Sequence, residues 1–455
     1  MDDAGTLLVM MLSSKTIADT VEVIKVFKFL HRYGFSHTEI GIRKMLTLVF
    51  SKDAAVVTAV IECYASLYFN MEVTTPDKVK HLFTMMGNAT LTDVTCIEEL
   101  LGKLIKDDVF ERPVFNSLWV AYLNFGRNFN NRSEEQTPDE RRQLIQECKQ
   151  EQRSAIHLLR MMGSCRVEIL LDQKEKLYEQ SLKFANYESP DYIIMKEAIL
   201  AYEKIVQHQI NRVGLADGVT ENDKRHLYQM LNVIGKNFGT QDLEWFCATE
   251  TVLNTLFNMR QRVSHEQAKL FIDLIVRKCF RRRDEDEIDQ LRAQPDDMIA
   301  AIEPMPLRND LSDSHYSQLF FVVGHIAIKM LTYVEQLETD LKQAFTDSFN
   351  KKKKKRDSDD SNEDKDQEDD LAQITGGKEA EVDQYKSMLD DITDSSLIQE
   401  GLLGRFTPIL KAVAAEALKR YTSEESILRA PHLCILERSA ILALCKYMCV
   451  SPKIC

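Results

Sequence analysis

The chain has 455 residues, 44% hydrophobic and 28% charged, with only 16 glycines and 10 prolines, so it is short of the turn-forming residues that an all-β or doubly wound architecture uses. Its formal charge of -13 excludes a surface that coats nucleic acid throughout, because neutralising phosphates takes a net basic face. Helices joined by short polar loops remain, arranged as ordinary domains or as one extended repeat array.

Met1, Asp2 and Asp3 open the chain with no basic stretch ahead of the brief LLVMML run, which argues against a secretory signal and for a reducing compartment. Polar helix starts follow at Ser14-Lys15, Ser51-Lys52-Asp53 and Thr92-Asp93, spaced by roughly 38 residues, a HEAT-like period. Behind the first two run stripes at helical spacing: Ile17, Val21, Ile24 and Phe27, then Val56, Val60, Cys63 and Leu67. Each stripe predicts one buried helix face. Second helices over 38–50 and 76–86, after turns at 31–36 and 70–75, complete two helical hairpins. A hairpin of this size leaves apolar surface on both flanks and becomes stable only when neighbours stack on it.

Beyond residue 130 the period blurs, yet helical stretches are predicted over 138–162, 190–211, 221–235, 242–259, 264–280 and 314–350. In the last, Val323, Ala327, Met330, Val334, Leu337 and Leu341 alternate in steps of four and three. That seam suits either a long internal solenoid helix or a coiled-coil contact. Its most apolar stretch, 319–328, is about half of what a bilayer crossing needs, so no membrane span is predicted. Composition then breaks sharply. Lys351, Lys352, Lys353, Lys354, Lys355 and Arg356 form a basic run, and DSDDSNEDKDQEDD follows over 357–370. Such a segment buries too little surface to offset its chain entropy and is predicted to be disordered. Helical pattern resumes near Ser396, and no capping polar repeat closes the array at Cys455. The expected architecture is therefore all-α, a HEAT/armadillo-type α-α superhelix: a repeat array over 1–350, a charged, largely disordered insertion over 351–395, and a continuation over 396–455 that reads as truncated.

Motifs of catalysis are missing. The chain has no GxxxxGK[ST] loop, no GxSxG elbow, no HExxH pair and no glycines clustered as a dinucleotide fingerprint. His325 stands in an apolar helix without an obvious partner and reads as a packed or interfacial histidine. Glu98-Glu99 and Asp107-Asp108 read as solvated carboxylates. The ten cysteines are scattered, and most are expected to be buried small hydrophobes. Cys445 and Cys449 lie four apart with only Cys434 and Cys455 nearby, a pattern that favours packing over a metal site. No catalytic residue, cofactor, metal or small-molecule substrate is predicted, and an unrecognised pocket would have to lie in the diffuse stretch 130–310. For the basic run at 351–356 three readings stay open: a nuclear import signal, a phosphate-contacting patch, or one pole of a self-neutralising loop. Ser358 and Ser361, each followed by acidic residues, are candidate phosphorylation sites of an acidophilic kinase. Arg281-Arg282-Arg283 either contacts DNA or pairs with the acidic residues at 284–287.

Several blocks together resemble the condensin regulatory HEAT-repeat subunit family. They are MLSSKTIADTVEVIKVFKFLHRYGF, then IGIRKMLTLVFSKDAAVVTAVIECYASLYFN, with Phe50 where the family commonly has Trp, and FFVVGHIAIKMLTYVEQLETDLK, similar to the family's VGHVAIKQLVHLE helix. After the charged loop, ITGGKEAEVDQYKSMLDDI, LLGRFTPIL and ILERSAILALCKYMCVSPKIC follow in the family's order. The resemblance covers only the N-terminal and middle portion of the family. It implies a non-catalytic subunit of condensin that binds the kleisin, works with an SMC ATPase heterodimer and a second HEAT subunit, and contacts chromatin DNA. The places implied are the nucleus and mitotic chromosomes, with cytoplasm in interphase. No individual kleisin- or DNA-contacting residue carries over. The alternative is another HEAT/armadillo scaffold, such as a transport or coat adaptor.

Overall fold

The computed structural model describes residues 2–35, 38–87, 89–124, 138–185, 190–214, 218–259, 262–280, 311–356, 384–389, 391, 401, 403–422 and 434–451. Apart from an isolated bridge residue at Phe280, every secondary-structure element assigned among them is helical, and they fall into two compact units, Met1–Thr220 and Glu221–Cys455.

The first unit contains α1 (Asp2–Met11), α2 (Ile17–Arg32), α3 (Thr38–Leu46, extended by a 3-10 turn Thr47–Phe50), α4 (Ala54–Tyr68), α5 (Thr75–Gly87), α6 (Leu91–Lys106) and α7 (Arg112–Leu123). It continues through α8 (Pro138–Cys165), the short α9 (Glu168–Leu171), α10 (Lys174–Ala185) and α11 (Tyr192–Val213). The residues that cap α2, α4 and α6 are Thr16, Asp53 and Thr90, ~37 residues from each to the next, so the period read from the polar starts is the repeat of the hairpins. Thr90 shows why a helix starts there. Its side chain accepts from Asp93 N–H, and the Asp93 carboxylate accepts from Thr90 N–H at 2.9 Å, which satisfies two backbone donors reciprocally. The helices α2, α4, α6, α8 and α11 touch in succession and bury one continuous core from Leu12 to Ile205. Two pairings, Arg153 with Asp191 and Arg160 with Glu197, advance together along α8 and α11, so these helices run parallel, as same-layer helices of stacked hairpins must.

Two stripes need correction. In α2 the buried residues are Thr20, Val23, Ile24 and Phe27, whereas Ile17 is exposed and Val21 half-buried. The helix packs against both α3 and α4, and the bisector of two neighbours rotates the buried face away from the one that spacing alone suggests. In α4, Tyr64 joins Val56, Val60 and Cys63 in the core, and Leu67 is only half-buried. The partner of the third hairpin, α7, was not predicted. Pro113 sits in its first turn, where a missing N–H costs nothing.

The second unit contains α12 (Glu221–Lys236), α13 (Glu244–Asn258), α14 (Arg262–Cys279), α15 (Asp313–Arg356), a 3-10 turn (Leu403–Phe406), α16 (Thr407–Thr422) and α17 (Ile435–Val450). Trp245 is fully buried and donates from Nε1 to Ile234 O at 3.2 Å, tying α13 to α12. Tyr447 donates to Leu403 O at 2.8 Å and fixes the 3-10 turn against α17.

Part of α15, Asp313–Gln343, is long and apolar enough by composition to cross a membrane, with a mean hydropathy of 1.4. Leu319, Phe320, Val322, Val323 and Ile326 in it are instead buried as α15 packs on α13, α14 and α17. The predicted seam divides. Val323, Ala327 and Met330 lie in the core, Val334 is half-buried, and Leu337 and Leu341 are exposed. The backbone of α15 stays helical through Arg356, past the predicted start of the insertion at 351. Lysine and arginine are good helix formers, and cations favour the C-terminal end of the helix dipole.

The close crossing of α15 and α17 depends on Gly324. A Cβ there would stand 2.8 Å from Ala443 Cα and 2.9 Å from its Cβ. Although alanine is the better helix former by about 1 kcal/mol, Gly324→Ala is expected to lower the stability of this unit by roughly 1–2 kcal/mol net. Adding Ala443→Gly should restore part of the loss. Urea unfolding followed by Trp245 fluorescence, with Trp119→Phe removing the only other tryptophan, provides the check.

Candidate functional site

A cleft of about 170 Å³ lies between α12 and α14, within the stretch where the sequence was least readable. The two helices run parallel. Gln267 Nε2 donates to Lys224 O at 3.1 Å near their N-terminal ends, and Lys278 Nζ donates to Gly235 O at 2.6 Å near their C-terminal ends. Gly235 permits the approach, because a Cβ at that position would meet Leu274 Cδ2 at 2.5 Å. One wall is Tyr228, Leu231 and Asn232, spaced along α12; the other is Leu270, Phe271 and Leu274 on α14. Asp273 and Arg277 add one charge of each sign.

Gln267 is the unusual member. Its residue is 8% exposed, and its Oε1 is buried without a hydrogen-bond partner, although its amide nitrogen is satisfied. A buried acceptor left alone costs about 1–3 kcal/mol. Leu270 and Tyr228 are 53% and 40% exposed, so apolar surface is presented at the rim. Small-molecule sites usually enclose ~300–1,000 Å³, several times this cleft at the upper end. None of the lining residues is a serine, cysteine, histidine or lysine. The arrangement leaves room for about one apolar side chain, while the Gln267 Oε1 acceptor stays buried beneath the lining.

Elsewhere in the second unit, His325 has the partner that the sequence did not reveal. Its Nε2 lies 2.9 Å from Asn254 Oδ1, and its ring stacks on Phe321 with centroids 5.8 Å apart. Burial, together with the charges of Lys446 and Lys329, pushes its pKa down to about 3. Lys446 lies over the Phe321 ring at 5.4 Å, and its own pKa is lowered, chiefly by burial. Asn254, Phe321 and Lys446 come from three helices, so no sequence spacing could have announced this cluster. It is a packed histidine held neutral, and it contributes to core specificity.

In the first unit, Glu98 is not merely solvated: it accepts from Arg160 Nη1 at 3.2 Å, while Arg160 Nε donates to Glu197 at 2.6 Å. Glu99 pairs with Lys103 at 2.9 Å, and Asp108 pairs with Arg166. A related strut joins Arg43 to Asp93 at the N-terminus of α6, and the hydrogen bond from that guanidinium, helped by those from Thr90, holds the carboxylate below its ordinary range against the opposing effect of burial. The cysteines depart from expectation. Cys63, Cys96, Cys148 and Cys279 are buried, but Cys165, Cys247, Cys434, Cys445 and Cys449 are exposed, because hairpin helices have an outer face on which a small residue is tolerated. Cys455 lies outside the described residues, as do Ser358, Ser361 and Arg281-Arg282-Arg283 with the acidic residues after them. Lys351, Lys352, Lys353, Lys354, Lys355 and Arg356 occupy the last turns of α15, and their side chains are outside the described set.

Comparison with known proteins gives a consistent answer for sequence. No family model matches the chain. Condensin complex subunit 1 of Saccharomyces cerevisiae is 25% identical over 475 aligned residues, covering 98% of this chain. The subunit of the same name from Schizosaccharomyces pombe is 21% identical and that from Mus musculus 22%, each again over 98% of this chain. The chain is thus similar to condensin complex subunit 1 through both compact units. It spans only 36% of the length of the two yeast relatives and 29% of the mouse relative. Among solved structures, the C-terminal fragment of the Chaetomium thermophilum cohesin loader SCC2 is similar with a TM-score of 0.35 and 11% identity, over 99% of this chain and 35% of that one.

Proposed function

We propose that this chain is a portion of the HEAT-repeat regulatory subunit of condensin, a non-catalytic scaffold whose stacked hairpins hold a disordered kleisin segment beside an SMC ATPase pair and a second HEAT subunit. The observation that carries this reading is the likeness to condensin complex subunit 1 across 98% of the chain, in relatives from fungi and mouse. The architecture supports it physically. Stacked helical hairpins present long surfaces suited to segments that order on binding, which cover much area at modest affinity per unit of area. We assign the basic run Lys351 to Arg356 to nuclear import, with Ser358 and Ser361 after it as sites where phosphate would shift the local charge balance. Its working places are then the nucleus and mitotic chromosomes, where it supports chromosome condensation and contacts DNA locally.

Affinity purification of the tagged chain from mitotic cells is expected to recover a kleisin together with both SMC ATPases. Recovery of transport cargo or coat subunits without any SMC protein would overturn the assignment.

A further inference from the structure

We propose that the open flank of α2 is a docking face for an amphipathic helix of a partner polypeptide, one that carries an apolar stripe and an acidic edge. The partner helix lies along α2, covers Val26, Phe29 and Tyr33, and sets carboxylates beside Lys25 and Arg32. The proposal rests on the scaffold reading above, because it names where on this chain a segment that orders on binding is seated.

Position among the stacked hairpins defines the face. On one flank α2 meets α4, where the His31 ring lies 5.6 Å from that of Tyr68 and its Nε2 3.4 Å from the Tyr68 hydroxyl. At 100° per residue, Val26, Phe29 and Tyr33 stand roughly 150° round the helix from His31, on the opposite flank. The helices α4, α6 and α8 each have a neighbour of their own layer on both flanks; among the described residues α2 has one on the α4 side only. On the other side α1, held to α3 by Lys44 Nζ donating to Val9 O at 2.9 Å, touches α2 but leaves the stripe uncovered. Val26, Phe29 and Tyr33 are 39%, 59% and 66% exposed. A hairpin left without a neighbour ordinarily turns a polar face outward, so an apolar stripe in this place marks a surface that another element covers.

Two observations select the occupant. The three side chains are three and four residues apart, the spacing of a helix-packing seam, so the knobs of a second helix fit between them. The edge beside them is basic. Lys25 and Arg32 stand seven apart along it, and no Asp or Glu occurs between Glu22 and Glu39. Lys25 reaches back to Glu22 at 2.7 Å, where both are exposed, and Arg32 has no such partner among the described residues. Edge charges of this kind choose a partner helix of opposite sign. A nucleic acid fits less well: the Phe29 and Tyr33 rings lie against each other with centroids 4.6 Å apart, leaving no gap for a base between them. The C-terminal end of α2 also turns its carbonyls, and not its N–H groups, toward a phosphate there.

The test uses the full chain and two designed helices of about 20 residues with the same leucine stripe, one edged with glutamate and the other with lysine. The glutamate-edged helix is expected to bind at least about tenfold more tightly. Phe29→Asp should weaken it by more than about tenfold. Lys25→Glu with Arg32→Glu should reverse the preference between the two helices. All three positions are exposed, and melts followed by Trp119 fluorescence establish that the variants are folded. Equal binding of both helices, binding indifferent to Phe29→Asp, or displacement of the bound helix by a single-stranded oligonucleotide would each overturn the docking face. In the complex recovered from cells, a photo-crosslinking phenylalanine analogue at position 29 is expected to join this chain to an acidic-edged helical segment of another polypeptide. Crosslinks confined to this chain would overturn it too. The two readings fail separately. If Phe29→Asp recovers kleisin and both SMC ATPases as the parent does, and neither helix binds, the docking face falls and the scaffold reading stands. Helix binding, with a crosslink to a polypeptide outside any SMC complex, does the reverse.

Discussion

Replacing Arg160 with methionine is expected to destabilise the first unit by about 3–5 kcal/mol, the usual cost of removing one partner from a buried ion pair. Arg160 and Glu197 are 13% and 5% exposed at their side chains, and their bond is 2.6 Å long. Without the guanidinium, Glu197 keeps only Lys196 at 3.5 Å and His157 at 3.8 Å. His157 is a poor substitute, because its burial lowers its pKa more than the Glu197 charge raises it, and it stays neutral near pH 7. The loss also parts helices, since Arg160 of α8 bridges Glu98 on α6 and Glu197 on α11. For a unit of this size the midpoint should fall by roughly 10 °C. Trp119, buried in this unit and donating to Ile169 O at 3.2 Å, reports it once Trp245→Phe removes the second emitter. The double replacement Arg160→Met with Glu197→Met should regain most of the stability, as buried pairs replaced together often do. If the single replacement costs under 1 kcal/mol, the cluster is solvated and the account of this junction fails.

The second large effect is acid sensitivity of the other unit through His325. Its folded pKa of about 3 lies below the ordinary 6.5, so the folded state prefers the neutral ring and the unfolded state takes up the proton first. The stability it contributes is fully present above pH 6.5 and is lost as pH falls toward 3. The expected loss is about 2 kcal/mol at pH 5 and approaches 4–5 kcal/mol near pH 3. Lys446 from α17 and Lys329 from α15 both oppose the proton, and Glu250 on α13 acts on Lys446. His325→Gln retains an amide that can donate to Asn254 and carries no titratable group. Urea midpoints read from Trp245 between pH 7.5 and 5 should therefore fall more steeply in the parent than in the variant. Parallel slopes would show that His325 is hydrated and charges freely.

Both effects belong to groups that brace helix junctions, Arg160 between α6, α8 and α11 and His325 between α13, α15 and α17.

How far the sequence could be read depended on whether the signal was local. The starts of α2, α4 and α6, read at Ser14-Lys15, Ser51-Lys52-Asp53 and Thr92-Asp93 and found with N-caps at Thr16, Asp53 and Thr90, and the first two hairpins, were legible because helix-start signals and helical periodicity act over three to four residues. The late helices also agreed closely, α12 being predicted over 221–235 and found as Glu221–Lys236. The misses are equally specific. Ile17 lies outside the core and Thr20 inside it, because the buried face of α2 is fixed by where α3 and α4 sit.

The candidate site was not legible at all. Leu231 and Leu270 each look like ordinary helix residues, and Gln267 like a surface amide; only the parallel packing of α12 on α14 turns them into walls and a stranded acceptor. Likewise Asn254, His325 and Lys446 are distant in the chain and adjacent in space. What could be read without the fold is the helical character of the chain and its first two hairpins, since a helix start and an apolar stripe are written within a few turns. Which side chains are buried, paired or left without a partner depends on packing, because burial and hydrogen bonding are properties of two or three helices together.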